Sequence, residues 1–334
     1  MPASESSPPG HSIVVIGASA GGVDALLELV AALPADLPAA IFVALHLQPG
    51  VINRLPEQLS ARGKLRARHA VHGERIVQGR IYVAPPDNHM VVRAGYVHVL
   101  RGPKENNQRP SADVLFRSAS VTYGPAVVGV VLSGFLDCGT SGLLSIKARN
   151  GLAVAQNPRE AHEPSMPQSA LNHIQVDHIA PARDIGLLLP RLAREPPEAW
   201  PAEVPRAIEE LEGNALGVPS AFVCPLCQGR QTETELYGYQ SFRCHVGHAF
   251  SLQSIAAEQA DALERALWAA VRALEESSSV ARRLASGAGE NLRKRFEEKG
   301  EAQTEHADTI RRILLDTRQP SVTDAAELAA KPKR

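Results

Sequence analysis

The chain has 334 residues, with 35 Lys and Arg against 36 Asp and Glu, 12 His and a formal net charge of −1. That balance argues against a dedicated nucleic-acid or membrane-surface protein, which would carry a strong basic bias, and leaves a protein or a small molecule as the partner. The length accommodates about two domains at roughly 150 residues each.

Residues 1–10 are polar and proline-containing, with no apolar core of a secretory signal, and read as a disordered tail. No run of about 18 apolar residues spans a membrane. Four cysteines, two of them in Cys224-Pro225-Leu226-Cys227, suit a reducing cytoplasm with a metal site better than a disulfide framework. The expected location is cytoplasmic.

From 11 to 194 the pattern alternates strands with helices. Residues 13–16 predict a buried strand, 17–22 a tight turn and 23–33 a helix; a strand follows at 39–46 and a helix at 52–62. Further on come a strand at 126–133, a helix at 141–149 and a strand at 152–156. Between them, 80–84 and 90–100 predict an antiparallel insert that turns at Ala94-Gly95. The fold class is α/β, a doubly wound and mostly parallel sheet covered on both faces.

Residues 195–220, with Pro196, Pro197, Pro201, Pro205 and Pro219, read as a linker holding one short helix at 206–212. A zinc-binding module at 221–251 follows, then a helical region at 252–316 broken by Ser286-Gly287-Ala288-Gly289. The latter is a helical hairpin or coiled coil for packing or self-association. Residues 317–334 complete the chain as a disordered tail.

The turn Gly17-Ala18-Ser19-Ala20-Gly21-Gly22 carries one serine between a strand and a helix. A hydroxyl on such a turn stands above the sheet, and the amides that begin the helix can hold a developing oxyanion. A phosphate loop is the competing reading. It fits less well, because Ser19 stands where the dinucleotide fingerprint needs its second glycine and the second strand ends in His46 instead of a ribose-binding acid. Ser19 as nucleophile and His46 as general base are the expected pair. The third member would come from the loop Gly134-Phe135-Leu136-Asp137-Cys138-Gly139-Thr140. Asp87, Asp113 and Asp177 are other carboxylates of this domain, read as turn and helix-cap residues. The order Ser, His, acid differs from that of the α/β-hydrolases.

Six ordered blocks then resemble the catalytic domain of the chemotaxis protein-glutamate methylesterases, the CheB family. They are Gly17 to Gly22, Leu45-His46-Leu47-Gln48-Pro49-Gly50, Ala84-Pro85-Pro86-Asp87-Asn88-His89-Met90, Arg109-Pro110-Ser111-Ala112-Asp113-Val114-Leu115-Phe116, Leu132-Ser133-Gly134 and Ala155-Gln156-Asn157. The resemblance implies hydrolysis of glutamate γ-methyl esters on methyl-accepting chemoreceptors, with glutamine deamidation as a second activity and a chemotaxis methyltransferase as a further partner. It implies no catalytic cofactor. Ser19 matches the family nucleophile and His46 its base, and Arg109 and Met166 belong to blocks that position substrate or shape loops. By position alone, Ala20 at the helix start and Phe135 after the third strand would offer oxyanion amides. The chain starts at the catalytic strand, so a stand-alone form without a receiver domain is expected.

One departure stands out. The family loop reads L-T/S-G-x-x-x-D-G, whereas here Cys138 holds the acid slot and Asp137 precedes it. Three readings are open: Asp137 turns in, Cys138 substitutes poorly, or the domain is a catalytically impaired scaffold that binds receptors or a methyltransferase.

Past the linker, Cys224-x-x-Cys227 and Cys244-His245-Val246-Gly247-His248 stand at zinc-ligand spacing, sixteen residues apart. Cys224, Cys227, Cys244 and His248 are the expected ligands of a structural zinc, with His245 as the alternative fourth. A short loop-rich segment of this kind needs such a staple to fold.

Overall fold

The computed structural model describes residues 12–47, 53–213 and 217–316. The expected tails, the turn at 48–50 and the start of the helix expected at 52 lie outside them. The chain divides into two compact units, one running to Ser254 and the other beginning at Ile255.

Seven strands build the main sheet of the first unit. They are β1 (Ile13–Ala18), β2 (Ala40–Leu45), β3 (Arg66–His69), β5 (Arg80–Val83), β8 (Val127–Val131), β9 (Leu152–Gln156) and β10 (His178–Ala180), in the order β10-β9-β8-β1-β2-β5-β3. Every pairing between them is parallel. All six residues of β1 and of β2 are buried, as a strand covered on both faces requires.

One face packs on α1 (Gly22–Ala32), α2 (Leu55–Arg62) and α6 (Ala182–Leu192), through Ile16, Leu26, Leu29, Leu59 and Leu189. The other packs on α3 (Ala112–Tyr123), α4 (Thr140–Lys147) and α5 (Ser165–His173), through Val15, Phe42, Phe116, Leu143 and Met166. The two apolar layers together exclude water from the sheet, which is the main favourable contribution to folding.

Residues 80–84 correct the sequence reading. They are not part of an antiparallel insert: β5 lies in the main sheet between β2 and β3, with Ile81 paired to Ile41 and to Ala67. Ile81, Tyr82 and Val83 are all buried, which is the pattern of a strand covered on both faces and not of a half-exposed hairpin arm. The antiparallel sheet is formed instead by β4 (Glu74–Arg75), β6 (His89–Arg93) and β7 (Tyr96–Leu100), and Ala94-Gly95 makes the β6–β7 turn.

Beyond α7 (Arg206–Glu212), the strands β11 (Val218–Val223), β12 (Arg230–Leu236), β13 (Tyr239–Cys244) and β14 (Ala249–Ser251) form a four-stranded antiparallel sheet. This ribbon is not separated from the α/β layers. Ile208, Leu211 and Tyr239 are buried in the same core cluster as Leu144 and Met166, and Asn106 N–H donates to the Ala249 carbonyl at 2.7 Å.

The second unit is a helical hairpin. Its helices α8 (Leu252–Ser286) and α9 (Glu290–Asp316) meet where Ser278 Oγ donates to the Gly300 carbonyl at 2.8 Å and Gln303 Nε2 to Ser277 Oγ at 2.7 Å. Among the described residues no helix is long and apolar enough to cross a membrane.

Candidate active site

In the main sheet β1 has β2 on one side and β8 on the other, so the chain reverses its direction of winding there. The crevice beyond the carboxyl ends of such strands is where open α/β sheets bind ligands. Ser19 directly follows β1. Its N–H donates to the Ser133 carbonyl at 2.9 Å, and its own carbonyl accepts from Gly22 N–H at 2.9 Å, which closes the turn into α1. Gly21 has φ 70°, and a Cβ there would lie 2.6 Å from His162 Cβ and 2.7 Å from Ser133 Oγ. Only glycine permits both the left-handed backbone and that approach. Ala20 and Gly21 precede the first turn of α1, whose leading amides have no partner within the helix.

Gly134 brings the loop after β8 against this turn, since a Cβ on it would lie 2.7 Å from Ser19 Cβ and 2.1 Å from Met166 Sδ. Gly134 N–H donates to the Glu163 carbonyl at 3.0 Å and Met166 N–H to the Gly134 carbonyl at 2.8 Å. Met166 is therefore a buried wall of the crevice beside Ser19. Phe135 follows Gly134, and its side chain is 46% exposed.

His46 closes the other side. Ala18 pairs with Leu45 in the parallel register, and His46 N–H donates to the Ala18 carbonyl at 3.0 Å, so Ser19 and His46 are the next residues on adjacent strands. The residue is half-buried, but its Nε2 is closed to solvent and has no hydrogen-bond partner among the described residues. Burial lowers the imidazole pKa to about 4. The ring is thus neutral near pH 7 and able to accept a proton. Among the described residues no neighbouring carboxylate raises its basicity.

The candidates for the third member lie elsewhere. Asp137 is buried and accepts a hydrogen bond from Ser251 Oγ at 2.8 Å. Burial, with the nearby Asp113 carboxylate, pushes its pKa up to about 7, although the Ser251 bond opposes the rise. Cys138 is buried with Sγ 3.4 Å from Ser111 Oγ, and burial followed by Asp113 raises the thiol far above its ordinary range. It is a neutral thiol that faces α3. Of the open readings for the acid, Asp137 turning in or Cys138 substituting, neither is seen as a bond to His46 among the described residues: Asp137 is engaged by Ser251 and Cys138 by Ser111.

Arg109 likewise serves a loop and not Ser19. Its Nε and Nη2 donate to Asp87 Oδ1 at 2.8 and 2.6 Å, and its Nη1 to the Gly102 carbonyl at 2.8 Å. These bonds hold the Asp87 carboxylate below its usual range. Asp113 accepts from the Gly139 and Gly142 amides at 3.0 and 2.8 Å and so caps α4, while Asp177 accepts from Lys147 and from Ala153 N–H. Asp113 thus acts as a helix cap, whereas Asp87 and Asp177 chiefly form ion pairs, with Arg109 and Arg101 and with Lys147. Ser251 and Asn106 are the residues that sequence reasoning missed. A serine ahead of a long apolar-periodic helix signals an N-cap, but nothing local tells that its hydroxyl also meets Asp137.

The ribbon gathers Cys224, Cys227, Cys244 and His248 so that one ligand atom of each lies within 4.8 Å of all the others. Cys227 Sγ is 3.6 Å from Cys244 Sγ, and His248 Nδ1 is 3.7 and 3.6 Å from the sulfurs of Cys224 and Cys244. Bonds of about 2.3 Å to a tetrahedral zinc place two sulfurs about 3.8 Å apart, so this group could hold a metal. His245 is exposed and lies outside the group, its ring turned toward Gly229.

A parallel α/β domain with a serine on the strand-to-helix turn at its switch point, and a histidine at the end of the adjacent strand, defines a class distinct from the α/β-hydrolases. The chain belongs to the CheB methylesterase family, whose family model matches residues 14–189. It is 35% identical over 188 residues to a protein-glutamate methylesterase/protein-glutamine glutaminase 1 of Burkholderia pseudomallei (strain 1710b), covering 55% of this chain and 51% of that protein. A protein-glutamate methylesterase/protein-glutamine glutaminase 2 of Methanosarcina mazei is 36% identical over 179 residues, covering 51% and 49% of the two chains. The crystal structure of the Thermotoga maritima CheB methylesterase catalytic domain superposes with a TM-score of 0.53 at 32% identity, over 54% of this chain and 98% of that one. The chain spans about half the length of the curated relatives it matches.

Proposed function

We propose that the protein is a serine carboxyl ester hydrolase acting on glutamate γ-methyl esters of methyl-accepting chemoreceptors, with glutamine deamidation as a second activity at the same site. Ser19 Oγ attacks the ester carbonyl while His46 takes its proton, and the oxyanion that forms is held by the Ala20 and Phe135 amides. His46 returns the proton to the departing methoxide, methanol leaves, and water then hydrolyses the acyl-serine to glutamate. With glutamine the leaving group is ammonia. The observation that carries this reading is the shared register of Ser19 and His46 at the switch point. Methanol release from a methylated chemoreceptor tests it: release is expected from the native chain and absent from S19A and H46A, and release that persists in both variants overturns it.

A second reading, a catalytically impaired scaffold that binds receptors or a methyltransferase, draws on the absence of a carboxylate beside His46 among the described residues. Replacing the aspartate of a serine triad by an amide lowers turnover by on the order of 10⁴ in a well-studied protease. The variant C138D separates the two. A large gain in turnover favours the impaired reading; no gain in an active enzyme favours the first.

The Cys224, Cys227, Cys244 and His248 group is proposed to hold one structural zinc, because four protein ligands leave no open position for water. Self-association through α8 and α9 and a cytoplasmic location complete the proposal. The balanced charge and the hairpin's apolar spacing support them.

A further inference from the structure

Ser251 ends β14 three residues beyond His248, and its hydroxyl serves two partners. It donates to Asp137 Oδ1 at 2.8 Å and accepts from Ser254 N–H at 3.0 Å, where α8 begins. Ser251 N–H donates to Asn106 Oδ1 at 2.8 Å, and Asn106 Nδ2 donates to Asp113 Oδ2 at 3.1 Å. These four side chains are buried. The short strand that follows His248 therefore ends in side-chain bonds to the loop that leaves β8.

That loop is not at ease. Leu136 has φ 61°, a left-handed backbone that a leucine adopts only when its surroundings impose it. Its neighbour Asp137 is a buried acid whose surroundings include the carboxylate of Asp113, the phenol of Tyr239, the thiol of Cys138 and the Ser251 hydroxyl, and no cation is among the groups that shift it. Reach is sufficient for another position. From Gly134, which lies on Ser19, three extended residues cover about 10 Å, and β2, which delivers His46, is two strand spacings or about 10 Å from β8.

We propose that Ser251 is a positioning residue through which the ribbon sets whether the acid loop serves His46. While Ser251 holds Asp137, the imidazole works without a carboxylate; when Ser251 lets go, Asp137 turns to the ring and completes the triad. The inference rests on the reading of Ser19 and His46 as the ester-hydrolysing pair, and it makes the ribbon an internal brake on that pair.

The test is made on the full chain by NMR titration of the His46 ring, alongside methanol release from a peptide carrying a glutamate γ-methyl ester. In S251A the ring is expected to titrate at least about one pH unit higher than in the native protein, as an adjacent carboxylate requires, and turnover to rise at least about tenfold toward an intact triad. S251T, which keeps the hydroxyl, should match the native protein, and S251A/D137N should lose both gains. If S251A does not fold, S251C, with a weaker donor of similar size, is titrated in its place. An unmoved His46 titration in the folded variant overturns the proposal. A shifted titration without methanol release from any variant upholds the clamp and removes the esterase reading instead.

Discussion

Ser19 and His46 occupy the first positions past a single parallel pairing, Ala18 with Leu45, and the His46 amide is fixed to the Ala18 carbonyl at 3.0 Å. Two adjacent strands thus deliver the proposed nucleophile and base with no loop between either residue and the sheet. Groups placed on rigid elements hold their geometry better than groups on loops.

Activity should follow the neutral form of His46. With its pKa lowered to about 4 by burial, kcat/KM is expected to stay level down to about pH 5 and to fall as pH drops through about 4. A pH–rate profile that breaks near the ordinary imidazole value of about 6.5 would show that the ring is open to solvent or paired with a carboxylate.

Asp137 should leave a signature in stability. Its folded pKa of about 7 exceeds the ordinary value of 3.8, so the native state binds the extra proton between these values. The resulting stabilisation is complete below about pH 4 and lost as pH rises through about 7. The difference in unfolding free energy between D137N and the native protein is therefore expected to move in favour of D137N from pH 4 to 8, as read by urea titration at several pH values.

Gly21→Ala should damage fold and function together. The added methyl meets His162 Cβ and Ser133 Oγ at a left-handed position, at a cost of about 1–3 kcal/mol. A lowered Tm with reduced methanol release is the expected result; a variant as stable and active as the native chain would refute the stated role of the turn.

Metal analysis is expected to find one zinc per chain, and C224S or C244S to lose it. Chelation should lower Tm, since binding energy at such a site is folding energy. Protein purified without chelator and free of metal would count against the assignment.

Truncation after Arg194 is expected to give aggregated or poorly folded protein, because Ile208, Leu211 and Tyr239 share the core with Leu144. Size-exclusion chromatography of that truncation beside one ending at Ser254 checks it, with the longer form monodisperse.

What the sequence disclosed was local. The Ser19 turn, the His46 strand end and the two cysteine knuckles each announce themselves within a few residues, because a tight turn, a strand period and a chelate spacing are short-range constraints. Residues 80–84 were misplaced because proximity to β6 in sequence says nothing of pairing, which the burial of Ile81 to Val83 decides. The partner of Asp137 lies 114 residues away; only the packing of the ribbon against the loop after β8 joins them.

Arg149 and Glu212 form a buried pair, with guanidinium and carboxylate oxygens 2.5 and 3.0 Å apart. Separating such charges inside the protein would strand one of them, at a cost of about 3–5 kcal/mol. The proline-rich stretch between α6 and β11 is consequently stapled down near its far end and cannot pay out as a tether. A loosening of Ser251 by local peeling of β14 would leave this staple closed.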